Sequence, residues 1–306
     1  MLGSRAIRQM SSIQQSLSDI HILGDETEVL VVRAANSDDR DWLRGSPTTP
    51  LLAQFNILHV GIMLARPPFE VVRTDQSGTF FLACFEGSGS ILSDGGWKAV
   101  PAGAACLLPP HSVNALKVGK NKEWSFAWVR YVEPPGSVPV ATANSPARGD
   151  FDPNPLQQAV RGLHAELVSG VESAALQHHW VELIHGYVAR FATPLHADER
   201  VWNAWEFVGE DLGADWSLDS IAAVSALSGE HFRRLCLKAL GRSPMQHLTY
   251  LRMRRAAELL TTTNDKVETI ARAVGYENPF AFSNRFLKWV GVRPSEHRLE
   301  GQRWNS

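Results

Sequence analysis

IARAVGYENPFAFSNRF, from Ile270 to Phe286, runs as an apolar helical pattern, breaks at a glycine and an aromatic, and restarts at Asn-Pro. Ile270, Ala271 and Val274 share one helical side at i, i+1, i+4 spacing. Gly275 stands where a residue tolerant of positive φ ends a helix at low cost. Asn278 is a good N-cap, and Pro279 is pre-set for a first helical turn. From there Phe282 and Phe286 repeat at i, i+4, with Ser283, Asn284, Arg285 and Lys288 around them. Two short helices joined by a tight turn form a helix-turn-helix pattern, whose second helix would offer its polar side to a DNA groove.

The pattern has a partner upstream. Ile221-Ala222 matches Ile270-Ala271 at an offset of 49 residues. Phe232 matches Phe282, Lys238 matches Lys288, Gly241 matches Gly291 and Pro244 matches Pro294, all at an offset of 50. The second copy therefore carries one extra residue in its turn. Ser217 and Ser228 are N-cap candidates in the first copy, and Asp265 with Glu268 stands at capping-box spacing in the second. Between the copies, Met245, Leu248, Met253, Ala256, Leu259 and Leu260 predict one apolar helix face, with Arg252, Arg254 and Arg255 largely off it. A helix of about 18 residues spans about 27 Å. That is commensurate with the roughly 34 Å between successive major-groove faces on one side of B-DNA.

Charge divides along the same line. The chain of 306 residues has a net charge of −2, but from Ala214 onward it holds 14 Lys+Arg against 9 Asp+Glu, or +5. The preceding part carries −7, so only the C-terminal part is suited to phosphate. Hydrophobic content of 44% is enough for a core in each of two domains. No apolar run approaches the roughly 18 residues of a membrane span, and MLGSRAIRQMSSIQQSLSDI has no apolar core of a secretory leader. Cys84, Cys106 and Cys236 are widely spaced, which argues for a reduced compartment and against a cysteine zinc site. The expectation is a cytoplasmic protein.

Residues from about 50 to 132 read as β structure: LLAQFNILHVGIML, FEVVR, TFFLACFEG, GSILSD, AACLLP and WSFAWVRYV are short apolar or alternating runs split by TDQSG, SDGG and PAG. Such spacing predicts a sandwich or barrel. Glu133 to Pro155 is rich in Pro, Ala, Ser and Gly and reads as a loop or linker. Beyond it, LQQAVRGLHAELV and ALQHHWVELIHGYVARF are helical, with wide apolar faces suited to dimerisation. His178, Glu182 and His185 would share a face of the second, as a solvated edge rather than a metal site.

The stretches WSLDSIAAVSALSGEHFRRLC, GRSPMQHLTYLRMRRAAELL and IARAVGYENPFAFSNRFLKWVGVRPSEHR, within residues 199–306, resemble the two-motif DNA-binding domain of the AraC/XylS family of bacterial transcription regulators. The resemblance implies double-stranded DNA as partner, transcription activation beside RNA polymerase, and dimerisation through the N-terminal half. Carried over by position, Glu230, Arg233 and Arg234 would face DNA from the first reading helix, and Pro279, Phe280, Ala281 and Asn284 from the second. Arg can bond guanine twice and Asn can pair with adenine, so Arg233, Arg234 and Asn284 are the candidate base readers.

The N-terminal region resembles a cupin-like effector domain, most visibly in PAGAACLLPPHSVNALKVGKNKEWSFAWVRY. Gly103 and Pro109 follow the second cupin motif, whose metal-ligating histidine would fall at Asn114; the HxH pair of the first motif is missing. Those absences predict no metal, no cofactor and no enzyme, but a pocket for an unknown small-molecule effector. Arg73, Phe85, His111, Trp124 and Trp128 are its candidate lining residues, with Trp124 and Trp128 equally readable as core. The predicted fold class is α+β multidomain: residues 1–150 a cupin-like β-barrel, 151–198 connecting and dimerisation helices, and 199–306 an all-α double helix-turn-helix domain. The alternatives are a regulator that needs no effector or a repressor, and, further off, a metal-dependent cupin enzyme fused to a DNA-binding domain. A DNA-repair regulator with a methyl-accepting cysteine zinc site is disfavoured by the scattered cysteines.

Overall fold

A computed structural model describes residues 20–36, 40–73, 78–110, 113–120, 122–133, 139–171, 173–193 and 198–304. Strands begin before residue 50, as β1 (Ile20–Leu23) and β2 (Glu28–Arg33). The apolar run after Thr49 is not one strand. Pro50–Phe55 is a 3-10 helix, with Pro50 at its first turn and Asn56 left-handed at its end (φ 55°). Only then does β3 (Ile57–Ala65) start. β4 (Phe69–Arg73), β5 (Phe80–Ser93), β6 (Gly96–Pro101), β7 (Ala104–Leu108), β8 (Asn114–Lys117) and β9 (Trp124–Tyr131) follow. The Pro-rich segment read as a loop also contains a short strand, β10 (Arg148–Asp150), paired to β7.

Among the described residues the strands form one curled antiparallel sheet in the order β1-β4-β8-β5-β9-β3-β2, with β6, β7 and β10 off that path. β5 makes the curl possible. Its first half pairs with β9 and β7, and its second half with β6 and β8. Between them the ladder slips at Cys84/Glu86, and Gly87 takes φ 70°, a bulge that bends the strand. Strand alternation then sorts two cores. Phe80, Leu82, Trp124, Phe126 and Trp128 fill the inner face, while Phe81, Ala83, Ala127, Val129 and Tyr131 face outward.

The outer face is covered by α1 (Asn154–Val168) and α2 (Ala174–Ala192), which press Leu156, Val160, Leu163, Val181, Ile184 and Val188 onto it. Most of the apolar surface of these two helices is thus consumed inside the chain. Leu176 and Leu183 are the large apolar side chains of α2 left about half exposed.

The C-terminal part comprises α3 (Glu199–Glu210), α4 (Leu218–Val224), α5 (Gly229–Leu240), α6 (Pro244–Thr262), α7 (Val267–Ala273), α8 (Pro279–Val290) and α9 (Pro294–Trp304). Each helix-turn-helix copy owns a core. Ile221, Ala222, Phe232 and Cys236 pack with Trp205 in the first; Ile270, Ala271, Phe282 and Phe286 pack with Met253 and Ala256 in the second. On α6, Leu248, Met253, Ala256 and Leu260 are buried as the pattern predicts, but Met245 is exposed and His247, Tyr250 and Leu251 are buried instead. The helix serves two cores and a contact with the N-terminal sheet, so its apolar surface wraps around rather than forming one stripe.

Caps divide similarly. Ser217 and Ser220 form a reciprocal box at α4. At α7 the N-cap position is Lys266, with no side-chain cap, so the predicted Asp265–Glu268 box does not form. The two turns superimpose in chemistry until Leu227 and Tyr276, whose amides return to Ala222 and Ala271. The extra residue of the second copy is therefore Glu277, inserted before the Asn278 cap. One residue earlier the backbone is left-handed in both copies, at Ala226 (φ 54°) and Gly275 (φ 80°).

This pair sets a prediction of opposite signs. Ala226→Gly removes left-handed strain at an exposed site and should stabilise the domain by about 0.5–1 kcal/mol. Gly275→Ala should destabilise it by at least about 1 kcal/mol, because a Cβ there also comes within 2.6 Å of Arg252 Nη2. Urea unfolding of the full chain measures both.

Candidate nucleic-acid interface

The two helices expected to read DNA are α5 and α8. At α5, Ser228 Oγ accepts from the amide of His231 (3.3 Å), and Gly241 closes the helix in the left-handed region (φ 65°). At α8, Asn278 Oδ1 accepts from the amides of Phe280 (2.8 Å) and Ala281 (3.2 Å), and Gly291 closes it (φ 95°). Phe232, Cys236 and Leu240 anchor α5 as Phe282, Phe286 and Val290 anchor α8. The same buried spacing fixes the same rotation of each helix about its axis. Glu230, Arg233 and Arg234 on α5 and Phe280, Ala281 and Asn284 on α8 are exposed, all in the N-terminal halves; Pro279 is half-buried.

Within this surface Arg233 Nη1 lies 3.5 Å from the Glu230 carboxylate. Both groups are at least half exposed, so the pair contributes little to stability, but it keeps the guanidinium along the helix edge. Phe280 is 82% exposed, an apolar ring on a polar face. It is suited to a thymine methyl or a deoxyribose, and nothing in the fold requires it.

Arginines off the reading helices divide by partner. Arg252 on α6 is half-buried; its Nε donates to Leu212 O (2.9 Å) and its Nη2 to Ala214 O (2.7 Å), and its guanidinium lies 5.9 Å from the Tyr276 ring. It links the loop after α3 to the second turn rather than facing outward. Arg255 is exposed and paired with Glu258 (2.8 Å).

Arg242, which sequence reasoning missed, is 2% exposed. It follows Gly241 directly, and its Nε (3.0 Å) and Nη2 (2.9 Å) both donate to Asp94 Oδ1. Lys98 donates to the other carboxylate oxygen, and Tyr250 stacks under the guanidinium at 3.9 Å. Asp94 and Gly95 form the tip of the β5–β6 hairpin, both left-handed (φ 52° and 71°), as a type I′ turn demands. A Cβ on Gly95 would come within 2.7 Å of Lys288 on α8. The hairpin tip therefore abuts the C-terminal ends of both reading helices. In addition, Ala147 N donates to Leu240 O and Val113 N to Val290 O, both at 2.9 Å. The N-terminal sheet thus occupies the two C-terminal ends and leaves the two N-terminal ends open.

The predicted effector residues scatter. Trp124 and Trp128 fill the inner core, each against a glycine: a Cβ on Gly89 or Gly61 would overlap Trp124 or Trp128. Phe85 lies on the outward face, against the core shared with α1 and α2, and so does not join them. Arg73 is buried at one end of the inner face. His111 lies outside the described residues. On α2, Glu182 lies 3.5 Å from His178 and 3.4 Å from His179, while His185 bonds the Tyr131 hydroxyl (3.1 Å), so the three side chains first grouped do not converge.

Residues 221–300 match the family model described as "Helix-turn-helix domain". The "Lactose operon transcription activator" of Staphylococcus xylosus is 33% identical over 101 residues, 33% of this chain and 36% of that protein. The "MmsAB operon regulatory protein" of Pseudomonas aeruginosa is 35% identical over 92 residues, 30% of each. The C-terminal domain of AraT, a response regulator from Geobacillus stearothermophilus, is 32% identical and covers 34% of this chain and 88% of that one, with a TM-score of 0.33. The chain spans about a third of the length of these two curated relatives. Its C-terminal part carries a helix-turn-helix domain of the AraC type.

The Asp94–Arg242 contact generates a pH prediction. Burial alone would raise the Asp94 carboxyl, but Arg242 and Lys98 override it and hold it at about 2, below the ordinary 3.8. A lowered folded value means that its stabilisation is present above pH 3.8 and is lost as pH falls toward 2. Asp94→Asn should have the acid effect at neutral pH, weakening the docking of the two parts by about 3 kcal/mol, because Arg242 is left buried without its counter-charge. Small-angle scattering should show the variant expanded at pH 7 and the parent expanded only in acid. Equal compactness of both at pH 7 contradicts it.

Proposed function

We propose that the protein, whose residues 221–300 form an AraC-type helix-turn-helix domain, is a sequence-specific DNA-binding transcription regulator rather than an enzyme. One observation carries this reading: two repeated, side-chain-capped helices keep the same faces buried and the same N-terminal halves exposed. Base edges in the major groove are read from that end of such a helix. α6 has 19 residues, about 28 Å at 1.5 Å per residue, which suits reading helices on adjacent major-groove faces.

In this reading, residues 1–150 are a cupin-like domain that receives a small-molecule effector, 151–198 connect and dimerise, and 199–306 bind DNA. The protein acts in the cytoplasm beside RNA polymerase as an activator, the role stated in the name of the lactose-operon relative. A homodimer raises the effective concentration of four reading helices on repeated half-sites. Support for its interface is the exposed α2 groove lined by His179, Glu182, Leu183, Gly186, Tyr187 and Arg190. Light scattering of the full chain at micromolar concentration should give a dimer, and Leu183→Lys should give a monomer.

Base reading is tested on a randomised operator library at two salt concentrations. Arg233→Ala should flatten preference at one or two base pairs, by roughly 1–3 kcal/mol of discrimination, with the domain still folded. Asn284→Ala should relax a different position about one helical turn away, because it belongs to the other motif. Loss of a phosphate contact would instead weaken every sequence alike and lower the salt slope by about one unit. Uniform weakening by both variants refutes their assignment as base readers.

A further inference from the structure

α2 carries a glycine that the packing of the chain does not explain. Gly186 stands inside the helix, where glycine is a weaker helix former than alanine. It is exposed, and a Cβ there would meet nothing within 4 Å. Gly162 on α1 differs, because a Cβ there would come within 2.6 Å of the Trp180 ring that packs against it. A glycine on an open helix face permits the close approach of another backbone.

The residues around Gly186 complement their own reversal. Glu182 precedes it by four residues and Arg190 follows it by four. Each is therefore about 6 Å along the helix axis from the glycine, in opposite directions. Glu182, Leu183, Gly186, Tyr187 and Arg190 line one open groove of about 420 Å³. Among the described residues Glu182 is paired only with histidines, His178 at 3.5 Å and His179 at 3.4 Å, and Arg190 only with the Tyr187 ring at 5.2 Å. Both charged groups are exposed, and surface contacts of this kind leave their charges available to a partner.

We propose that α2 packs antiparallel against α2 of a second copy of the chain, about a two-fold axis at Gly186, so that Glu182 of each copy meets Arg190 of the other. A two-fold interface is isologous, so each contact occurs twice. Reversal about residue 186 exchanges the positions four before and four after it, which brings opposite charges together on both sides of the axis. A parallel pair in register would instead set Glu182 against Glu182 and Arg190 against Arg190. The charges therefore select the antiparallel orientation. Leu183, 46% exposed in the single chain, gains apolar cover beside the axis. The proposal rests on the homodimer reading above and gives that dimer its axis and register.

The experiment is analytical ultracentrifugation of the full chain and its variants at micromolar concentration, with far-ultraviolet circular dichroism to verify folding. Glu182→Arg and Arg190→Glu each place like charges across the axis twice, and each should raise the dimer dissociation constant about tenfold or more. Combined in one chain, they restore opposite charges and should recover the parent association. Gly186→Leu should give a monomer without loss of helix, because leucine favours a helix more than glycine does. Gly186→Cys lies on the axis and should cross-link to itself under mild oxidation, whereas Gly209→Cys, on an open face of α3, should not. Should a charge variant fail to fold, that cross-link decides, and its absence overturns the proposal. A dimer that dissociates with Leu183→Lys yet ignores the charge variants and Gly186→Leu overturns the axis and leaves the homodimer reading intact. A folded double exchange that stays monomeric also overturns the axis. A parent chain that is monomeric throughout overturns both.

Discussion

The buried ion pair between Asp94 and Arg242 is the constraint on which the arrangement of the whole chain depends. Neither group is accessible to water, so each relies on the other for its charge. Asp94 is carried on a two-residue hairpin tip, and Arg242 immediately follows the C-cap of the first reading helix. The pair therefore sets not only a distance but the direction from which the sheet approaches the helices. Gly95, beside Lys288, extends the same tip to the second reading helix.

Backbone hydrogen bonds reinforce this placement. A helix leaves its last carbonyls without intrahelical donors. Here Leu240 O and Val290 O, equivalent in the repeat, each receive an amide from the N-terminal part, from Ala147 and Val113. The sheet thus completes the C-terminal ends of both reading helices, and the ends proposed to meet bases stay exposed. The β5–β6 hairpin tip touches both helix ends, through Arg242 and Lys288, whereas Val113 before β8 touches only the second. Val113 adjoins Asn114, and Asn114 stands opposite Arg73, so the end of β4 and the end of the second helix meet at the start of β8.

Much of the sheet's shape follows from aromatic volume. Trp124 and Trp128 occupy the inner space only because Gly89 and Gly61 present no side chain there. Packing at native density leaves little room between such rings, which is why the middle of the inner face is core. The aromatic residues that suggested a pocket were legible as large and apolar. Their glycine counterparts, sixty-seven residues upstream for Trp128, were not legible as partners.

The helix-turn-helix repeat was legible because everything that defines it is local. Caps, left-handed turn positions and i, i+4 aromatic pairs act within a few residues, so Ser228, Asn278, Gly241, Phe232 and Phe282 declared their roles in order along the chain. The same locality exposed the reading surface, since burying one side of a short helix leaves the opposite side out. It failed where a local preference was overruled, as at Lys266, which takes the N-cap position that Asp265 was expected to hold. The alignment of Arg33, His59 and Arg130 across one end of the sheet and the Asp94–Arg242 pair were decided only by tertiary structure. Arg33, His59 and Arg130 lie on strands whose register no local pattern specifies, and Asp94 meets Arg242 across 148 residues. Whether a buried charge is tolerated depends on what the rest of the chain brings to it, and that is a property of the folded arrangement rather than of any segment.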